Sequence, residues 1–518
     1  MRNNWSKGYV ADLTYSHGYY HELSPSFMRF FLLLNGYANA SQGGNFNYCE
    51  LGFGQGVSAN LHAAALPRGR FFGTDFNPDH ALFAQNLSSE AGVEADWVAL
   101  GFEEMLDADL PQFDFITLHG VWSWIDSAAR HAVVEFIRRR LKVGGVVYLS
   151  YNIMPGWSAE KPLRDLLWLH TEHAGAAGGS TVARIRGALA FAEQLRQSKA
   201  GYFEQNSKAS QMLDDMLRDD IHVVAHEYFN RSWFLTYFAD LAQSLEAAGL
   251  GFACSLHRSD LVGEVQARLR ASQIAEADLS PALRETASDF ILNRRFRRDV
   301  FVRGALRLAP TERAALLRDV SLVLMRPASS ISPTQQTPYG SVTLDAALTR
   351  RIVRALEVAN APMTMGEVFD KADVNAASAE TAFDIVGALV AQSHLSVSFA
   401  DDAQHAPNSR ATQMNLAISR RARHENTLRY VVSPVTGQAV EASRFERLFL
   451  GAWQAGARTA AELVAAVGPD VDAIAAAEAA GSPPEESRRE LETRAAGFVE
   501  TVAPLWLRLG ILGAEATR

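Results

Sequence analysis

Over roughly the first half of the chain, short apolar runs alternate with longer stretches whose apolar positions recur every three to four residues, which predicts strands interleaved with helices. Residues 45–48, 70–75, 95–100 and 113–118 read as strands, and 142–152 as a glycine turn running into a fifth. The fourth is apolar nearly throughout, as a strand buried on both faces must be. Helices are expected at 57–66, from 77 to about 89 with Pro78 and Asp79 in the first turn, and at 127–141. Right-handed βα crossovers then require a parallel sheet covered by helices on both faces. Residues 26–34 predict a further helix on one face, ended at Asn35-Gly36.

From 155 to 220 no strand pattern appears, so this stretch reads as a helical insertion. A helix at 233–248 and strands at 250–256 and 298–303 are expected to supply the last two strands of the same sheet. Residues 326–338, rich in proline, serine and threonine, read as a linker. Three helices (344–360, 364–372, 376–392) and a β segment at 395–399 follow and suggest a winged-helix-like module. The expected divisions are an N-terminal helical lid (1–45), a core (46–157), the insertion (158–222), a segment completing the sheet (223–325) and a mainly α, winged-helix-like C-terminal domain (339–518).

Composition narrows the function. With 518 residues, 48% hydrophobic and 21% charged, two or three soluble domains are expected. A net charge of -9 makes nucleic acid a poor partner, although Arg294-Arg295-Phe296-Arg297-Arg298 is a local basic run. Cys49 and Cys254 alone exclude a disulfide framework and a structural zinc site. The N-terminus lacks a signal-peptide core and no apolar run approaches the ~20 residues of a membrane helix, so no membrane insertion and a cytoplasmic location are expected.

The chemistry concentrates in Cys49-Glu50-Leu51-Gly52-Phe53-Gly54-Gln55-Gly56, a strand, a glycine turn and a helix start. Glycines at alternate positions let a ligand lie against bare peptide groups. A dinucleotide fingerprint is spaced G-x-G-x-x-G, whereas here Glu50 precedes Gly52, Gly54 and Gly56; its carboxylate would repel a pyrophosphate but can pair with an ammonium group. Asp75 ends the second strand 21 residues after Gly54, about the interval of a ribose-binding acid. Adenosine carrying an amino acid suits both ends.

These residues resemble the class I S-adenosylmethionine-dependent methyltransferases: Glu50 to Gly56 matches their first motif and Gly73-Thr74-Asp75 their second. The chain further resembles the bacterial branch with a methyltransferase regulatory domain, which includes rickettsial-type protein-lysine methyltransferases. The blocks that carry this resemblance begin at Tyr15, His119, Ser150 and His226, and it covers roughly residues 10 to 310. It implies a Rossmann-like seven-stranded sheet, S-adenosyl-L-methionine as cofactor and S-adenosyl-L-homocysteine as product. It also implies that the aromatic segment at 9–24 folds over the cofactor, with Tyr15, His17 or Tyr19 in the pocket, and that Phe102 or Glu103 meets the adenine; simple packing of that segment on the domain is the competing reading. The expected cofactor set is Glu50, Gly52, Gly54, Gly56, Asp75, Phe76, Phe102, Glu103, His119 and Gly120, with no metal.

On the acceptor side, His119, Trp122 and Trp124 follow the fourth strand, where aromatic faces attract a sulfonium without being alkylated. Trp122 is expected in the pocket and Trp124 in the core. Tyr151 and Asn152 end the fifth strand and can offer oxygen to an incoming amine. The expected catalytic set is therefore Tyr151, Asn152, Trp122, His119 and Tyr15. Abundant aromatics without an acid/base pair favour an amine over a hydroxyl acceptor, and lysine on a protein substrate is the expectation. A small-molecule biosynthetic methyltransferase and a non-catalytic binding module remain alternatives, and a homodimer is compatible with either.

Overall fold

The structure is a computed structural model, and the residues described are Val10, 17–38, 44–174, 180–261, 278–337, 340–399, 409–477 and 484–513. Strands β1 (Phe46–Leu51), β2 (Gly69–Thr74), β3 (Ala95–Val98), β4 (Phe113–Leu118), β5 (Leu141–Asn152), β6 (Leu250–Ser255) and β7 (Phe296–Arg303) form one sheet in the order β3-β2-β1-β4-β5-β7-β6. The first five pair in parallel, and β7 runs antiparallel between β5 and β6. The regulatory segment thus completes the sheet, as its two apolar runs predict. The chain moves outward from β1 to β3 and then returns to β4, so a crevice opens between the C-terminal ends of β1 and β4.

Alternation along the strands sorts the core. Tyr48, Phe71, Phe115, Val146 and Tyr148 face one side, whereas Cys49, Phe72, Ile116, Val147 and Tyr151 face the other. Helices α1 (Pro25–Leu34), α2 (Val57–Ala65), α3 (Pro78–Glu90) and α4 (Ser127–Arg140) follow the sequence expectation within a residue or two. Asn77 Oδ1 caps α3 by accepting from the Asp79 amide at 3.0 Å, and Asp126 caps α4 likewise at 2.8 Å. α1 differs from a one-faced cover: Phe27, Met28, Phe30, Phe31, Leu32 and Leu33 are all buried, because the helix lies between the sheet and the C-terminal region. Its Arg29 sits 4.2 Å over the Phe399 ring.

The insertion is helical: α5 (Lys161–His173), α6 (Thr181–Gln197), α7 (Gly201–Gln205), α8 (Ser207–Arg218) and α9 (Ile221–Tyr228), with a core of its own around Leu163, Ile185, Met212 and Leu213. α10 (Phe238–Glu246) begins later than residue 233. The preceding stretch is held extended instead, with the Phe234 amide donating to the Ser123 carbonyl at 2.7 Å and the Met154 amide to Thr236 at 3.0 Å.

The expected linker is not a spacer. Ser321–Leu324 pairs antiparallel with Met363–Thr364 and with Leu395–Ser398, so the C-terminal module starts before residue 339. Thr334–Thr337 pairs with Gly340–Thr343, because a Thr/Gln run offers full backbone pairing that its Pro and Ser content conceals. Beyond this module a further array carries the hairpin Tyr430–Ser433 and Gln438–Glu441 and the helix Ser409–Arg421, which packs on α2 and α3. Arg421 grips Glu90 of α3 through two bonds of 2.8 and 2.7 Å. Among the described residues no helix is long and apolar enough to cross a membrane, and no cluster of side chains could hold a metal.

Candidate functional site

After β1 the chain turns through Gly52, Gly54 and Gly56 with φ of +77°, +58° and +66°, then enters α2. That left-handed region costs a residue with a side chain about 1–2 kcal/mol. A Cβ on Gly52 would also lie 2.5 Å from Val121 Cγ2, so the loops after β1 and β4 meet only because it is glycine. Gly56 is turned away from the cleft, where a Cβ would stand 2.6 Å from Ala84; its bareness lets α2 close on α3.

Asp75, at the end of β2, binds the glycine turn to the start of α3. Its Oδ2 accepts from the Gly54 amide at 2.9 Å, and its Oδ1 accepts from the Asn77 amide at 2.9 Å and lies 3.1 Å from His80 Nδ1. Glu50 is 4% exposed, and its Oε2 accepts from the Tyr48 hydroxyl at 3.2 Å. Among the described residues no cation pairs with it. Burial pushes its carboxyl up to about 8, against the Tyr48 hydrogen bond and with a further push from Asp75. The glycine turn therefore ends beside a buried acid that lacks a countercharge, which suits a nucleoside with an ammonium-bearing tail.

Across the crevice, the Gly120 amide donates to Ser150 Oγ at 2.8 Å, and His119 Nδ1 lies 3.0 Å from the Tyr148 hydroxyl. The Tyr20 ring stacks on His119 with centroids 3.8 Å apart. Burial pushes the imidazole down to about 3, so His119 is neutral at pH 7 and adds no positive charge beside a sulfonium.

Glu50, Gly52, Gly54, Asp75, Phe76, Phe102, His119 and Gly120 line one cleft, as does the His226-Glu227 pair of α9. Glu103 does not; it stands on the turn leading to Met105, outside the lining. The tryptophans are the reverse of expectation: Trp124 lines the cleft and Trp122 is buried in the sheet's core. Both belong to a 3₁₀ turn, where residues two apart point to different sides. Tyr151 is also absent from the cleft, because alternation turns it to the opposite face of β5 from Tyr148 and Ser150. There its hydroxyl donates to Asp299 Oδ2 at 2.6 Å, within a buried network with Arg297. Asn152 lies beyond the lining, its amide held by Ser123 Oγ at 2.8 Å. Tyr15 is outside the described residues. His17 meets Phe83 edge-on, and Tyr19 accepts from the Ala439 amide at 2.9 Å, so among the described residues of that aromatic segment Tyr20 and Gly18 reach the cleft. Sequence reasoning passed over Tyr20 and His80; the aromatic run and the helix-start position were visible, but nothing in their spacing singled them out.

Comparison with known proteins agrees with this geometry. A family described as "Methyltransferase domain" matches residues 49–147, and one described as "Predicted methyltransferase regulatory domain" matches 220–303. The uncharacterized protein sll1526 of Synechocystis is 36% identical over 449 residues, covering 86% of this chain and 87% of that protein. The uncharacterized protein RP789 of Rickettsia prowazekii is 25% identical over 272 residues, 52% of this chain and 48% of its own length. PKMT2 from Rickettsia typhi, solved in complex with AdoHcy, has the same fold with a TM-score of 0.68 at 18% identity over 96% of this chain and 99% of that one. The glycine turn, the uncompensated acid, the sheet order and these matches together place the chain among the class I S-adenosylmethionine-dependent methyltransferases that carry a methyltransferase regulatory domain.

Proposed function

We propose that this enzyme methylates the side-chain amine of lysine on a protein. The observation that carries the reading is the wall facing the glycine turn, built from Tyr20, neutral His119, Trp124 and Ile125, in which, among the described residues, no acid is paired with a base to strip a hydroxyl; the Asp75–His80 contact lies on the opposite side and is taken up by the glycine turn and α3. An acceptor at such a wall must bring its own lone pair. The likeness to PKMT2 extends over the C-terminal region as well as the sheet, which supports a protein rather than a metabolite as substrate.

In this reading Glu50 holds the ammonium of the donor's amino-acid tail, Asp75 its ribose hydroxyls, and Phe76 and Phe102 its adenine. When bound, S-adenosylmethionine supplies an electrophilic methyl group, and alignment of that methyl with the acceptor is the main contribution the protein makes. Deprotonating a lysine at pH 7 costs about 5 kcal/mol from its reference pKa. Loss of water on entering the ring-lined cleft lowers the ammonium's pKa and meets part of that cost. His119, held by Tyr148 and Tyr20, fixes one side of the channel without presenting charge.

Incubation of the full-length protein with S-adenosylmethionine labelled in the methyl group and with whole-cell fractions tests the reading. Label should enter protein and appear as N-methyl-lysine after acid hydrolysis. Label confined to small metabolites overturns it in favour of a biosynthetic methyltransferase.

A further inference from the structure

The sheet accounts for the donor half of the cleft, yet part of its lining comes from α9, in the regulatory segment. The end of α9 is fixed by buried polar groups rather than left as a loose lid. Arg164 donates from Nε to the Tyr228 carbonyl at 3.0 Å and from Nη2 to the carbonyl of Asn230. Asn230 Nδ2 donates to the His226 carbonyl at 2.6 Å, and its Oδ1 accepts from the Val10 amide at 2.9 Å. The Arg164 guanidinium lies 5.3 Å over the Trp233 ring, which stacks on the cleft residue Trp124 at 6.2 Å. Arg164 and Asn230 are 4% and 1% exposed, so Glu227 is presented from a rigid support.

Glu227 itself is exposed where it lines the cleft, and among the described residues it has neither an ion pair nor a hydrogen bond. Although the residue is exposed as a whole, the protein on its cleft side keeps water from the carboxyl and raises it above its ordinary value. Among the described residues no arginine or lysine lines the cleft, and Trp124 and Ile125 border it. A carboxylate beside apolar walls, without a cation of its own, is complementary to an ammonium at the tip of an alkyl chain.

We propose that Glu227 is the anchor for the acceptor's ammonium group, selecting a primary amine on a flexible alkyl stem and holding it, still protonated, at the mouth of the cleft, ahead of the ring-lined stretch in which it sheds water and proton. This rests on the lysine reading above. The regulatory segment then acts as the acceptor half of the site, matching the donor half built on β1 and β2.

The test uses n-butylammonium and its neutral counterpart n-butanol as probes, titrated by ligand-observed NMR into the full-length protein saturated with S-adenosylhomocysteine. Wild type should prefer the ammonium. Glu227→Gln should lose that preference, binding the ammonium about 10- to 100-fold more weakly, as expected for a lost hydrogen bond to a charged group. S-adenosylhomocysteine affinity, read by calorimetry, should be the same in both proteins, and Glu227→Asp should fall between them. In the labelling assay Glu227→Gln should raise KM for the protein acceptor more than it lowers kcat. Equal ammonium binding by wild type and Glu227→Gln overturns the anchor, and if N-methyl-lysine still forms, the lysine reading survives that failure. Label on groups other than amines in the wild-type assay overturns both.

Discussion

Glu50→Gln should stabilise the free protein and weaken it as a binder, and both effects follow from one buried carboxyl. The group is held at about 8 in the fold against an ordinary value of 4.5. A folded-state pKa raised in this way means that the stability it allows is fully present below about 4.5 and is lost as pH rises toward 8. Between those limits each pH unit costs about 1.4 kcal/mol, so reaching pH 7 costs about 3 kcal/mol. Glutamine has the same shape and no charge, so the melting temperature of Glu50→Gln relative to wild type should climb from pH 5 to pH 8.

Ligand binding should move the other way. If the donor's ammonium is met by ionised Glu50, binding must expel the proton that the free protein carries. With a carboxyl near 8, affinity should fall about 50-fold from pH 8 to pH 6, since the ionised fraction drops from about one half to about one hundredth. Calorimetry with S-adenosylhomocysteine in buffers of different ionisation enthalpy should find close to one proton released at pH 7, and none in Glu50→Gln. A wild-type affinity that is flat over this range, or a variant that keeps the slope, would falsify the assignment of Glu50 to the donor's ammonium.

Gly52→Ala should weaken S-adenosylhomocysteine binding at least about tenfold, because the new methyl adds left-handed strain to its clash with Val121; isothermal calorimetry reads the loss. Trp122→Ala should cost about 3–5 kcal/mol of stability as a core deletion, whereas Trp124→Ala should leave the denaturation midpoint nearly unchanged and lower methyl transfer; paired denaturation and labelling assays would refute this if the two losses were exchanged. Tyr151→Phe should reduce stability by about 1–3 kcal/mol through the lost hydrogen bond to the Asp299 carboxylate, which keeps Arg297, and leave kcat intact. A large fall in kcat with normal stability would return Tyr151 to the chemistry.

The glycine turn and the acid that holds it were legible because their signals are local. Gly52, Gly54 and Asp75 are tied to backbone turns that their residue types announce, and the strands at 250–256 and 298–303 stood out as apolar runs between helical stretches. The acceptor half was harder to read. Whether Tyr151 or Tyr148 lies on the side of the sheet that holds His119, and whether Trp122 or Trp124 lines the cleft, turns on the phase within a strand or a 3₁₀ turn, and both members of each pair are apolar enough for a core. The linker was misplaced for a different reason. Ser321–Leu324 finds its partners at 363–364 and 395–398, too far along the chain for any local pattern to reveal.

Tyr19 and Tyr20 are chain neighbours with separate attachments: one ring is bonded to the C-terminal hairpin at Ala439, and the other rests on His119 inside the cleft. Ser24 reaches Gly437 of that hairpin as well, while Glu22 is clasped by Arg298 of β7 at 2.8 Å. The segment that brings Tyr20 to the cleft is therefore pinned at its far end to the last quarter of the chain. Cutting the protein after β7 would leave a complete sheet and the Glu22–Arg298 clasp but remove the hold on the hairpin, and the trimmed enzyme should exchange its donor faster and retain it less well than the intact one.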